Sequence, residues 1–159
     1  MKKFIFIFTI ILMATSKILF AQVGENKETK AKFDPARDPY TDVKAAVEEA
    51  SKNQKRIMLD VGGEWCIWCH RLDKFIDENE EIKTFLHENY IVIKVNFSPE
   101  NKNEKFLSQF PKVPGYPHIF ILDGTGKFLH SQDTGKLEKD KSYDAQLLLG
   151  FLKEWSPKK

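Results

Sequence analysis

The fold of this chain is decided around one stretch of sequence, Trp65-Cys66-Ile67-Trp68-Cys69-His70. The stretch holds both cysteines of the chain, with two residues between them. Upstream, residues 56–61 form an aliphatic run of strand length that ends at two glycines, and from residue 72 onward apolar residues recur at helical spacing. We therefore expect Cys66 at or near a helix N-terminus, where unpaired N–H groups and the helix dipole favour a thiolate. Cys69 then lies one turn further on, within reach of Cys66 to form a disulfide.

Four kinds of site fit this cysteine spacing. In a redox dithiol, Cys66 attacks and Cys69 resolves. A c-type haem would use both cysteines with His70 as axial ligand, although Met58 is the only methionine left for a second axial position after residue 21. A zinc site needs two more ligands, and no paired, finger-like spacing is seen among the four histidines His70, His87, His118 and His130. A purely structural disulfide over so short a loop contributes only about 2 kcal/mol. The redox dithiol is favoured, and we expect neither a metal nor a cofactor.

The N-terminus has the layout of a secretory signal peptide. Lys2 and Lys3 precede the apolar run 4–14, and the small residue Ala21 follows. An uncleaved membrane anchor needs about 20 apolar residues, but a serine and a lysine at 16–17 interrupt this run well before that. The pattern predicts cleavage after Ala21, a periplasmic or secreted protein, and no stable membrane anchor afterwards.

The charge of the exported chain argues against nucleic acid and anionic membranes as partners. Removing the three lysines of residues 1–21 from the 25 basic residues leaves 22, against 23 acidic residues. A near-neutral balance provides no basic surface for nucleic acid or for an anionic membrane. The remaining length is enough for one domain and too short for two typical ones.

The pattern of apolar residues predicts a domain that mixes helices and strands. Residues 22–38 are polar and lysine-rich and are predicted to be a flexible leader, so the domain is assigned to 39–159. Within it we expect first a helix over 40–53, a strand over 56–61, a helix from the cysteines to about 77 and a second helix over 80–89. A strand over 90–97, a short helix near 106, a hairpin of 118–122 with 127–130 and a C-terminal helix over 147–155 follow. The run 90–97 is nearly continuously apolar, which is typical of a strand covered on both faces. The order predicts an α/β fold with a central mixed sheet and helices on both faces.

Three separated motifs resemble the thioredoxin family. Asp60 lies six residues before Cys66, where the family keeps a buried acid, and Lys94 lies where the family has the lysine beside that acid. The tripeptide Gly115-Tyr116-Pro117 is similar to the family's cis-proline loop. The resemblance spans about residues 40–155 and is strongest to secreted bacterial thioredoxin-like proteins and to the C-terminal domain of DsbD-type disulfide reductases.

The resemblance implies a thioredoxin-like fold and a thiol–disulfide oxidoreductase, with a reductase expected. The catalytic residues that it implies are Cys66 and Cys69, with Asp60 as the base for the Cys69 proton. Lys94 is implied as the neighbour that adjusts the pKa of Asp60. The implied substrate-binding residues are Tyr116 and Pro117, and we expect the aromatic side chains of Trp65 and Trp68 to add an apolar rim for the substrate. The implied partners are proteins with disulfides or thiols, and a membrane electron donor for recharging.

Two departures from the family leave parts of this interpretation open. Ile67 and Trp68 replace the Gly-Pro of thioredoxin between the cysteines, and His70 replaces the usual lysine, so the redox potential cannot be carried over. Asp60 could instead be an exposed strand-end carboxylate and Lys94 a snorkelling edge residue. A non-enzymatic binding module of the same fold is the alternative from a different functional class.

Overall fold

The computed structural model describes residues 32–158. Its strands arise from the β-branched and aliphatic runs and its helices from the amphipathic segments between them. The elements in chain order are α1 (Pro39–Asn53), β1 (Arg56–Gly62), α2 (Ile67–Glu78), α3 (Glu80–Asn89), β2 (Tyr90–Asn96), α4 (Glu104–Leu107), β3 (His118–Leu122), β4 (Phe128–Asp133), a 3-10 turn (Thr134–Leu137), β5 (Glu138–Lys139), β6 (Ser142–Tyr143) and α5 (Ala145–Trp155).

The four longer strands form one mixed sheet in the order β2-β1-β3-β4. β1 runs parallel to β2, because α2 and α3 carry the chain back across the sheet between them. β1 and β3 are antiparallel, as are β3 and β4, which form the hairpin expected from the Asp-Gly-Thr-Gly turn. The predicted fold class is confirmed, and the stretch 65–70 follows the central strand β1 directly.

The two faces of the sheet have different hydrophobic cores because side chains alternate along β1. Ile57, Leu59 and Val61 face α1 and α4. Met58 and the buried Asp60 lie on the opposite face, which α2, α3 and α5 cover. Asp60 is therefore buried because its strand position directs it beneath the helix that carries the cysteines.

The β2 strand differs from its prediction on one face. Among the strands of residues 32–158, β2 lies at the edge and pairs with β1 alone, and its Val92 remains 36% exposed. Val92 and Lys94 lie on the same face of β2. The helices on that face bury the Lys94 side chain to 8% exposure but leave Val92 partly open to solvent. The apolar run 90–97 thus predicted the strand correctly, but the prediction that both of its faces are covered was wrong at Val92.

The predicted leader also needs correction at its C-terminal end. Phe33 lies inside the segment 22–38 assigned to the leader, yet it is 2% exposed and packs against the domain. The N-cap Asp38, whose carboxylate accepts the backbone N–H groups of Tyr40 and Thr41, starts α1. The predicted signal peptide 1–21 and the leader residues 22–31 lie outside the described residues. Among the residues that are described, none of the helices has the length and apolar character needed to cross a membrane.

Candidate active site

The cysteine pair lies where β1 passes into α2. The backbone N–H of Cys66 donates to the carbonyl of Gly63 at 2.9 Å, which closes a tight turn after the strand. Cys66 is the N-cap of α2, and its Sγ accepts the backbone N–H of Cys69 at 3.1 Å. The two sulfurs form a disulfide with the Cα atoms 5.2 Å apart. A thiolate at Cys66 would receive the same N–H donor and the positive end of the helix dipole.

The two cysteines differ in how they meet solvent. Cys66 is 4% exposed and lies between two exposed apolar side chains, Trp65 and Ile67, whereas Cys69 is 0% exposed. The Cys69 Sγ lies at the end of β1, too close to Gly62 to leave room for a Cβ there. Glycine at 62 is required by this close approach. An external disulfide can therefore reach Cys66 first.

Asp60 and Lys94 are brought together on the sheet face that α2, the helix carrying the cysteines, covers. They are register partners on the parallel strands β1 and β2, and the Lys94 Nζ lies 2.5 Å from Asp60 Oδ2. Burial raises the pKa of Asp60, and the nearby Lys94 only partly offsets this. Burial opposes the charge on Lys94, but its carboxylate neighbours hold its pKa above the ordinary value. Asp60 is thus not an exposed strand-end carboxylate, nor is Lys94 a snorkelling edge residue.

Asp73 is a third member of this buried group that the sequence interpretation missed. It lies on α2 four residues after Cys69, and its Oδ1 forms an ion pair with Lys94 Nζ. Lys94 therefore bridges two carboxylates, one from the sheet and one from the helix above it. The four-residue spacing to Cys69 was a signal, because residues i and i+4 share one face of a helix.

One oxygen of Asp60 remains available for a proton. Within the part of the chain that the structure describes, Asp60 Oδ1 has no hydrogen-bond partner. Asp60 shares its strand face with Gly62, the residue against which the Cys69 sulfur packs. A cavity of about 160 Å³ also borders Asp60, Asp73 and Lys94, between the sheet and the covering helices. A raised pKa, an unpaired oxygen and this position fit a group that accepts a proton from Cys69.

An aromatic surface flanks Cys66. The Trp65 ring, 56% exposed, meets the Tyr116 ring edge-on at 5.7 Å, and Tyr116 stacks on Phe97 at 4.7 Å. Trp65 Nε1 donates to the carbonyl of Phe97 at 2.7 Å, which fixes the indole on the rim. The Tyr116–Pro117 bond is cis, as the resemblance implied, and Tyr116 packs against the cysteine cluster. The structure therefore places Trp65 and Tyr116 beside Cys66.

Trp68 lies differently from Trp65. It is half-buried, meets Tyr143 edge-on at 5.8 Å, and carries the Arg71 guanidinium 4.4 Å from its ring centroid. Trp68 packs against both the main core and the cysteine cluster. Much of its surface is therefore used for packing rather than for the rim.

The histidines near the site have other contacts. His70 is exposed on α2, and its Nε2 lies 2.8 Å from the carbonyl oxygen of Glu64. His118, which follows the cis proline, is buried with Nε2 2.8 Å from Ser131 Oγ, and burial lowers its pKa. Across residues 32–158 no group of three or more His, Cys, Asp or Glu side chains is arranged to hold a metal ion.

Comparisons with known proteins agree with this geometry. A family model described as "Thioredoxin-like" matches residues 38–124, more than half of the chain. The disulfide bond reductase DsbH of Chlamydia pneumoniae is 28% identical over 115 residues, which cover 67% of this chain and 69% of DsbH. The thiol:disulfide interchange protein DsbD of Actinobacillus pleuropneumoniae is 31% identical over 86 residues, which cover 53% of this chain but 14% of DsbD.

A solved structure gives the same architecture. The crystal structure of a disulphide isomerase from Xylella fastidiosa superposes with a TM-score of 0.67, covering 79% of this chain and 97% of that chain. Its sequence identity is 22%, so this likeness concerns the fold alone. The sequence matches and the fold thus agree on one family.

Proposed function

This chain belongs to the thioredoxin-like family of disulfide oxidoreductases, and from that membership we propose that it reduces disulfides in protein substrates outside the cytoplasm. The observation that carries the proposal is a disulfide at the N-terminus of α2 together with a buried carboxylate on β1, the strand that leads into it. Exchange needs an accessible attacking thiolate, a second thiol within reach and a base for its proton. Cys66, Cys69 and Asp60 fill these three roles in order.

The reaction begins with the reduced dithiol. The Cys66 thiolate attacks one sulfur of a substrate disulfide, so a Cys66–substrate bond forms and the other substrate sulfur leaves as a thiolate. Cys69 then loses its proton to Asp60 and attacks Cys66 Sγ. The Cys66–Cys69 bond forms, the second substrate sulfur leaves, and two electrons have passed to the substrate. Lys94 holds the Asp60 carboxylate in place through Oδ2 and leaves Oδ1 for the proton.

The aromatic rim is proposed as the place where the substrate chain lies. Trp65 and Tyr116 offer exposed or half-buried ring surface beside Cys66. The buried Pro117 holds the end of this loop, because its carbonyl accepts the Thr134 hydroxyl at 2.5 Å. The half-buried Trp68 contributes its remaining free edge to the same surface.

Mixed-disulfide trapping tests the two cysteine roles. The Cys69→Ala variant should accumulate covalent complexes with insulin through Cys66, whereas Cys66→Ala should accumulate none, because only Cys66 reaches external disulfides. Both variants are run on reducing and non-reducing gels, with the double variant as control. Equal trapping by both single variants would contradict the assignment.

The direction of electron flow is tested by equilibrating the purified protein in glutathione buffers. A reductase should lie near the thioredoxin end of the family range, about −270 mV, rather than near the strongly oxidising end at about −120 mV. A measured potential at the oxidising end would overturn the reductase proposal while leaving dithiol exchange intact.

Export is proposed from the N-terminal sequence. We expect the protein in the periplasmic or secreted fraction with Gln22 as its first residue, and a membrane electron donor that returns electrons to the oxidised pair. Fractionation and N-terminal sequencing check this. A full-length chain that retains residues 1–21 in the cytoplasm would contradict it.

A further inference from the structure

The segment 32–38, which we name the N-terminal arm, places an aromatic ring directly against the dithiol. Phe33 forms a small buried cluster with Cys66 and Cys69 and is 2% exposed. A Cβ on Gly62 would meet atoms of the Phe33 ring at 3.1 and 3.2 Å and would also clash with the Cys69 sulfur. The ring and the inner sulfur therefore lie against the same point at the end of β1.

Specific contacts hold the arm in this position. The backbone N–H of Phe33 donates to Glu64 Oε1 at 2.9 Å, and Asn101 Nδ2 donates to the carbonyl of Pro35 at 2.9 Å. The Lys94 ammonium lies 4.6 Å from the centroid of the Phe33 ring, so the ring also borders the buried charges. These contacts tie the arm to the active-site turn, to the loop after β2 and to the ion pair.

We infer that Phe33 is a positioning residue of the dithiol site, whose ring seals the inner thiol of Cys69 from bulk water and so directs the Cys69 proton to Asp60. The inference rests on the proposed exchange reaction and adds a residue to it. Of the groups around the site, Cys69 is fully buried, with the Phe33 ring packed beside it. Asp60, by contrast, borders the cavity between the sheet and the covering helices.

The reaction step affected is the resolution of the mixed disulfide. The Cys69 S–H proton moves to Asp60, the resulting thiolate forms the Cys66–Cys69 bond, and the Cys66–substrate bond breaks with the electron pair leaving on the substrate sulfur. With Phe33 in place, water is kept from Cys69 and cannot take the proton. Without the ring, water reaches the thiol and competes with Asp60 as the acceptor.

The rate at which Cys69 is alkylated measures how well the Phe33 ring protects this thiol from solvent, and the assay needs no catalytic turnover. In the Cys66→Ser background Cys69 is the one thiol of the chain, and its reaction with iodoacetamide reports its access to solvent. Phe33→Ala should speed this reaction by about tenfold or more, since a buried group otherwise reacts only through local opening. Phe33→Leu, which keeps an apolar plug, should restore most of the protection. Equal rates in the parent and Phe33→Ala would overturn the inference.

A second pair of variants loosens the arm without changing its ring. Glu64→Ala removes the acceptor of the Phe33 N–H and should speed Cys69 alkylation, whereas Glu64→Gln keeps an acceptor oxygen and should react like the parent. If Phe33→Ala fails to fold, this pair of variants tests whether the N-terminal arm keeps solvent from Cys69. If Cys69 is alkylated at the parent rate in both Glu64→Ala and Glu64→Gln, the inference that the N-terminal arm protects Cys69 is refuted.

A double-mutant comparison tests the proton route. Asp60→Asn should slow mixed-disulfide resolution strongly when Phe33 is present and clearly less in the Phe33→Ala background, where water substitutes for the carboxylate. The same slowing in both backgrounds would refute water exclusion as the role of Phe33. If the wild-type protein exchanges no disulfides at all, the proposed function fails, and the alkylation experiment still decides whether Phe33 seals Cys69.

Discussion

Replacing Lys94 by methionine removes the cation that lies between two buried carboxylates. The Lys94 side chain is 8% exposed, and its partners Asp60 and Asp73 are 5% and 13% exposed at their side chains. Methionine preserves most of the length and the apolar stem of lysine, so the change is mainly one of charge. The two carboxylates would then face each other in a poorly solvated site.

The cost at neutral pH can be worked from the ordinary pKa of an aspartate. The variant avoids a buried, uncompensated charge by binding a proton at Asp60, whose ordinary pKa is 3.8. Holding that proton at pH 7 costs about 4 kcal/mol relative to the ionised unfolded chain, at about 1.4 kcal/mol for each pH unit above the ordinary pKa. Breaking a buried ion pair by removing one partner typically costs about 3–5 kcal/mol, which agrees.

The sign of the pH dependence follows from proton counting. Above the ordinary pKa the folded variant binds one more proton than the unfolded chain, so its stability falls as the pH rises. Burial also raises the pKa of Asp60 in the wild-type protein, and the Lys94 charge opposes that rise, so the wild-type stability changes with pH in the same direction. The difference between wild type and Lys94→Met should therefore be near its maximum at pH 7 and shrink toward pH 4.

Urea unfolding of the oxidised protein at pH 4, 5.5 and 7 measures this difference. Lys74→Met is the matched control, because Lys74 is exposed on α2 and pairs with Glu78 at the surface. It should change stability by about 0.5 kcal/mol or less at every pH. A loss for Lys94→Met below about 1 kcal/mol at pH 7, or one that is independent of pH, would refute a stabilising role for the buried Lys94 charge.

Four further predictions address catalysis and packing. Asp60→Asn should prolong the mixed disulfide by a factor on the order of 10², measured by rapid quench against pH, and superimposable profiles would make Asp60 a bystander. Gly62→Ala should destabilise the oxidised protein by about 1–3 kcal/mol in urea because its Cβ meets the Cys69 sulfur, while Gly115→Ala, with open space around it, should be near neutral. Trp65→Ala should raise KM for insulin but leave the rate with glutathione disulfide unchanged; equal effects on both would argue against a substrate rim. The purified protein should show no Soret band that persists after denaturation, and such a band would favour the haem interpretation.

The fold was predictable because its signals are local. Strand-length aliphatic runs, helical spacing of apolar residues and the Asp-Gly turn each act over a few residues, so they placed the main helices and strands of the sheet within a few residues of their observed bounds. The buried pair of Asp60 and Lys94 was implied by the resemblance to the thioredoxin family rather than by a local pattern. Their catalytic roles are predictions that the exchange rate of Asp60→Asn tests.

Two members of the site depended on tertiary structure. Asp73 reads in sequence as one more acidic residue of an amphipathic helix, and only the packing of α2 over the sheet brings it to Lys94. Phe33 stands alone in a polar segment with no periodicity, although it is the one aromatic residue between Ala21 and Tyr40.

The sequence by itself thus determined the order of elements and the position of the dithiol, because hydrophobic periodicity and turn residues are short-range properties of the chain. The tertiary structure decided which charges share one buried site and which ring lies against Cys69. Those contacts join residues far apart in the chain, from Phe33 to Lys94, and no local pattern specifies which of many similar side chains will meet once the helices pack.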